Sequence, residues 1–227
     1  MGLDFANYQV FAGNTNIKEF HKSLLSQFPE LMVKNGFQSI TQSEEADRII
    51  VVGPPGRWIW IYDSYAEGIN PANHYLKELA IALSGYGEVV TIAMYDSAIV
   101  HFFLYQKGDK IDQFVSSPSF YFWYMKKWEP QATYEESDFY GRPEKWSEFL
   151  LNSTKPNVLK TVWQLERADE ILQQTANVMG WHPVLCQGGY IISNDGYYDF
   201  RYDEYFEFME IEVTLSGTRT YYFAKET

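Results

Sequence analysis

A chain of 227 residues with 30 acidic and 18 basic side chains has a formal charge of −12, which disfavours nucleic acids and anionic membranes as partners, since both are bound through clustered Lys and Arg. Its single cysteine, Cys186, excludes an internal disulfide and a cysteine-cluster zinc site. No apolar run approaches the ~18 residues that span a bilayer, and the first ten residues resemble no signal peptide, so the expected location is cytoplasmic.

Phe5–Phe11 reads as a first strand. Asn16, with Glu19 three residues on, has the pattern of a capping box. Ile17, Phe20, Leu24, Leu25 and Phe28 then recur at helical spacing. Pro29 interrupts that stripe, so Leu31 and Met32 are expected in a short second piece before Asn35-Gly36 stops it. Phe37–Thr41 is a short strand candidate. Arg48–Val52 and Trp58–Tyr62 are stronger ones, joined as a hairpin by Gly53-Pro54-Pro55-Gly56. The run Trp58 to Tyr62 is apolar on both faces, which requires cover on both sides or a surface held for a partner. Asn70-Pro71 is read as cap and first residue of a helix whose stripe is Tyr75, Leu76, Leu79, Ala80 and Leu83. Val89–Tyr95, Ile99–Tyr105 and a third segment ending near Ser116 then form an antiparallel meander. They are β-branched and aromatic, and Asp96-Ser97 and Lys107-Gly108-Asp109 supply the turns. This meander is expected to be the middle of the sheet.

Residues 16–64 and 71–116 both read helix, strand, hairpin, a weak internal repeat in which Tyr62-Asp63-Ser64 and Tyr95-Asp96-Ser97 echo each other. The tandem strand–helix–sheet pattern is similar to the glyoxalase-like architecture. That family's metal-binding His and Glu have no clear counterparts at the strand ends here, so its activity is not carried over. Residues 118–142 change character. Nine of the 26 residues from 117 to 142 are aromatic, with neither strand alternation nor a helical stripe, and a long irregular connection is expected. Beyond it, Pro143–Leu151, a segment capped by Asn157, and Arg167–Met179 are helical, the last two read as separate helices or one bent one. Tyr190–Ser193 and Tyr197–Tyr202 are short extended pieces. Tyr205–Leu215 and Thr220–Ala224 read as a terminal hairpin, with a bulge where the apolar phase slips. The expected architecture is α+β: a mostly antiparallel sheet region over 1–117, the aromatic-rich connection 118–142, and a helical segment with C-terminal strands over 143–227. These are read either as separate regions or as one continuous domain.

Chemistry-bearing patterns are sparse. The chain has no GxSxG elbow, no GxxxxGK[ST] loop, no GxGxxG and no HExxH. His21, His74, His101 and His182 are scattered, and His182 with Cys186 lacks the third group of a nucleophilic triad. No metal site and no cofactor is expected. Were Asp63 and Asp96 to meet in one cleft, they would make an acid–base pair in an enzyme or ligand pocket; otherwise they bond the turning backbone. Two features point instead to a surface. The aromatic run with Trp123, Trp128 and Tyr134 suits a hot-spot cluster or a stacking platform, or else plugs the sheet or covers a second core. The segment from Asp195 to Glu212 holds seven acidic residues against one basic one, and its Asp203, Glu204, Glu207, Glu210 and Glu212 suit docking to something basic. The leading expectation is a non-catalytic binding protein, in its most concrete form an acidic inhibitor or immunity-type protein that masks a basic protein such as a nuclease toxin.

Overall fold

The computed structural model describes residues 5–13, 16–41, 45–66, 74–127, 130–131, 133–151, 154–181, 191–193, 196–198 and 218–225. The strands are β1 (Phe5–Phe11), β2 (Phe37–Ile40), β3 (Arg48–Val52), β4 (Trp58–Asp63), β5 (Val89–Tyr95), β6 (Ile99–Gln106), β7 (Asp109–Val115), β8 (Ile191–Ser193), β9 (Gly196–Tyr198) and β10 (Arg219–Lys225). All but β8 and β9, which pair with each other, join one eight-stranded antiparallel sheet in the order β2-β10-β3-β4-β1-β5-β6-β7. The helices are α1 (Ile17–Lys34), α2 (His74–Leu83), α3 (Pro118–Met125), α4 (Pro156–Val162) and α5 (Ala168–Met179), with 3-10 turns at Glu136–Phe139 and Pro143–Phe149. The fold is α+β.

The meander forms as its residues predict. Asp96 and Ser97 both take positive φ (49° and 51°), as do Lys107 and Gly108 (51° and 89°), which is the pairing that two-residue hairpin turns require. Its place differs from expectation. β7 is an edge strand and the middle of the sheet is β4-β1-β5, because the N-terminal strand inserts between the two strand groups. The two stretches of the internal repeat therefore enter the sheet differently: the first meets β1 through its last strand, the second through its first. β10 lies between β2 and β3 and bonds to both. Residues 205–215, the other arm of the expected terminal hairpin, lie outside the described residues, as do Asn70-Pro71, His182 and Cys186.

Strand alternation gives the sheet two buried faces. Tyr8, Val10, Ile59, Ile61, Ala93, Ile99 and Phe103 pack beneath α1, α2 and α3. Phe5, Trp58, Ile92, Met94, Val100, Phe102 and Phe114 pack beneath the Pro143–Phe149 turn, α4 and α5. Trp58 to Tyr62 reads as a continuous apolar run and is buried throughout: Ile59 and Ile61 face the first layer, Trp58 the second, and Trp60 and Tyr62 pack with Val51.

α1 departs from expectation twice. Asn16 occupies the N-cap position, but its side chain makes no capping bond. The helix also runs unbroken through Pro29. A proline cannot donate to the carbonyl four residues back, here that of Leu25, and the Tyr221 hydroxyl supplies the missing bond at 2.8 Å. Tyr221 is held there by stacking on Phe28, ring centroids 5.3 Å apart. α4 and α5 are separate helices, and α5 ends where expected, at Gly180 in the left-handed conformation.

Candidate binding surface

The stretch expected to be irregular contains α3. Pro118 at its first turn presets the helical φ. Its residues are apolar on every side, so no stripe announces it. Docking decides which face is inward: Tyr121 and Met125 are buried, while Phe120 and Trp123 are 47% and 56% exposed, their ring centroids 5.4 Å apart. Lys127, one turn after Trp123, places its Nζ 3.9 Å from the centroid of that ring. Trp123 is thus an exposed ring with a cation over it. Tyr134 packs against the same helix. It is half-buried, stacks on Phe122 at 5.4 Å and meets the edge of Phe139 at 5.9 Å, clamping α3 to the following turn. Trp128, Asp203, Glu204, Glu207, Glu210 and Glu212 lie outside the described residues.

Glu136 borders this aromatic face. Its carboxylate accepts hydrogen bonds from the Ser119 hydroxyl of α3 and, at 3.1 Å, from the Tyr140 hydroxyl. The bond to Glu136 and its charge raise the Tyr140 pKa. Tyr140, itself exposed, bridges to Phe114 of β7, and Glu135 and Asp138 beside it are exposed as well. Next to them a depression of about 260 Å³ is lined by residues that include Lys110, Asp112, Gln113, Asp138 and Arg142. Asp112 is buried and fully engaged: it accepts from the Arg142 amide (2.8 Å), Arg142 Nε (2.9 Å) and Trp146 Nε1 (2.6 Å). Arg142 Nη2 and Lys145 Nζ both donate to the Ile111 carbonyl, at 2.8 and 2.9 Å. These contacts cover the outer edge of β7, which would otherwise invite another strand.

The structure does not bring Asp63 and Asp96 together. Asp96 is exposed on the β5–β6 turn. Asp63 is wholly buried, and its carboxylate accepts from Arg48 Nε (2.8 Å), Arg48 Nη2 (2.5 Å), Tyr8 Oη (3.2 Å) and the Tyr65 amide (3.0 Å). Arg48 lies among the rings of Phe37, Tyr65 and Tyr75 at 4.8, 5.2 and 5.6 Å. Burial, then the Asp63 charge, pushes the Tyr8 phenol well above its ordinary pKa. This is a closed ion pair whose oxygens are occupied, built to hold β1, β3 and β4 in register. Residue-level reasoning missed it, although a signal existed: an arginine opening an apolar strand and an aspartate closing its hairpin partner are diagonal neighbours across the pair.

The histidines fall apart in the same way. Nε2 of buried His21 lies 2.8 Å from the Gly53 carbonyl. His101 is buried in a ring of Tyr95, Phe103 and Tyr121, and among the described residues neither ring nitrogen has a hydrogen-bond partner. Among the described residues no group of three or more His, Cys, Asp or Glu is placed to hold a metal ion, and no helix is long and apolar enough to cross a membrane. In comparisons with known proteins, no family model, no curated protein and no solved structure matches this chain.

Proposed function

We propose that this protein is a binding protein that masks a basic protein partner, in the manner of an acidic inhibitor or immunity protein, and that the outer face of α3 is its anchor. The observation that carries this reading is the exposed pair Phe120 and Trp123, set beside the acidic residues Glu135, Glu136 and Asp138 on a chain of charge −12. Aromatic anchors supply most of the energy of a protein interface, and surrounding charge supplies approach rate and partner choice. The alternative, an acid–base pair at Asp63 and Asp96, is favoured by no observation, since one carboxylate is saturated inside the sheet and the other lies on an exposed turn.

The test titrates the full chain against basic nucleases and reads complex formation together with loss of nuclease activity. Trp123→Ala is expected to weaken the complex by at least about tenfold, the scale of a hot-spot anchor. Association should slow steeply as salt rises from about 0.02 to about 0.2 M. An affinity indifferent to both the substitution and the salt would sink the proposal.

A further inference from the structure

Trp123 presents its face to solvent with a cation already on it: Lys127 Nζ is 3.9 Å from the ring centroid and 5.4 Å from that of Tyr124. Among the described residues, no hydrogen bond or ion pair holds this ammonium; the rings alone do. An exposed contact of this kind is weak, and indole is the aromatic face that attracts cations best. Glu136, across the patch, receives only the hydroxyls of Ser119 and Tyr140, so no cation neutralises its charge among the described residues. The patch thus combines an aromatic face suited to a positive charge with a carboxylate whose charge is unpaired.

We propose that Lys127 stands in for an arginine side chain of the partner. On docking, that guanidinium replaces the Lys127 ammonium over Trp123, with Phe120 against its aliphatic stem and Glu136 as its counter-charge. Arginine fits better than lysine because its planar, weakly hydrated head stacks on an aromatic face while donating hydrogen bonds at its rim. The inference rests on the reading of α3 as a docking surface for a basic protein, and it adds the chemical identity of the central contact.

The experiment uses the full chain and a fluorescein-labelled peptide of about nine arginines, titrated by anisotropy at low salt, with a lysine peptide of equal length for comparison. Lys127→Gln is expected to tighten arginine-peptide binding about two- to fivefold, the size of an exposed cation–π contact. Lys126→Gln removes the same charge from the adjacent residue without uncovering the ring, and should gain less. In a Trp123→Gln background the Lys127→Gln gain should vanish. Proton NMR supplies a second readout: the Lys127 side-chain methylenes, shifted upfield by the indole, should return toward ordinary values as arginine peptide is added. Equal gains from Lys126→Gln and Lys127→Gln, or a gain that survives without Trp123, overturn the displacement while leaving a basic-partner surface standing. Failure of wild type to bind either peptide at low salt removes the docking surface and the displacement together.

Discussion

Two single residues carry measurable consequences. The Leu25 carbonyl, stranded by Pro29, is satisfied by one hydroxyl from the far end of the chain. Tyr221→Phe keeps the ring and its stacking on Phe28 but leaves a part-buried carbonyl unpaired, which costs about 1–2 kcal/mol. In a Pro29→Ala background the backbone amide restored by that substitution takes over the carbonyl, so Tyr221→Phe should then cost little. Urea unfolding of the four proteins gives the coupling, and an equal cost in both backgrounds would refute the assignment. His101 sets an acid limit. Burial, then the charge of Lys110, pushes its pKa from 6.5 down to about 3. Between those values the unfolded chain binds a proton that the folded chain refuses, so stability rises with pH there. The contribution is complete above pH 6.5 and is lost as pH falls toward 3. The loss should reach about 2 kcal/mol by about pH 5. His101→Phe fits the same ring of aromatics without the orphaned nitrogens and should flatten this part of the stability–pH curve. A curve of unchanged slope in that variant would place the acid sensitivity elsewhere.

At the scale of elements, local chemistry and tertiary context divide cleanly. β5, β6 and β7 are legible because β-branched residues and two positive-φ turns agree with each other; α5 is legible because its apolar stripe ends at a left-handed Gly180. α3 is not, because apolar residues all round give no periodicity, and only its seat on Phe139 and the sheet sorts Tyr121 inward and Trp123 outward. The aromatic run is therefore visible as composition, while which of its rings face outward is not. The continuity of α1 through Pro29 is likewise invisible locally, since the compensating hydroxyl is nearly 200 residues away in sequence. The strap over β7 depends on Gly141, which has φ +69° and lies so close to Trp163 that an added Cβ would run into the ring. Gly141→Ala combines left-handed strain with that clash and should cost about 2–4 kcal/mol. It should also accelerate amide exchange along the β7 edge, as Arg142 and Lys145 lose their hold on Ile111. A variant as stable as wild type would mean that the strap tolerates displacement.

For the whole molecule the decisive fact is that strands far apart in the sequence share one sheet. β1 divides the two strand groups, and β10, from the other end of the chain, joins β2 to β3; Tyr222 pairs with Ile40 across about 180 residues of sequence. Among the described residues β2 has β10 as its only strand neighbour, so removing β10 does more than trim an end. Deleting residues 218–227 strips β2 of its backbone partners, bares the outer edge of β3, and takes away buried Tyr221 and Phe223 from beneath α1. Each of those two rings contributes about 1.5–3 kcal/mol by burial. Their sum with the lost strand pairing is comparable to the roughly 5–15 kcal/mol that stabilises a typical folded protein. The truncated chain should therefore show no cooperative urea transition. Phe223→Ala, which removes one ring and keeps both ladders, should still unfold in a single step with its stability lowered by about 3–5 kcal/mol. A truncated chain that unfolds with the wild-type midpoint would show that β10 decorates the sheet, whereas loss of its transition beside a cooperative Phe223→Ala would show that the ladders on either side of β10 make one sheet of the two chain ends.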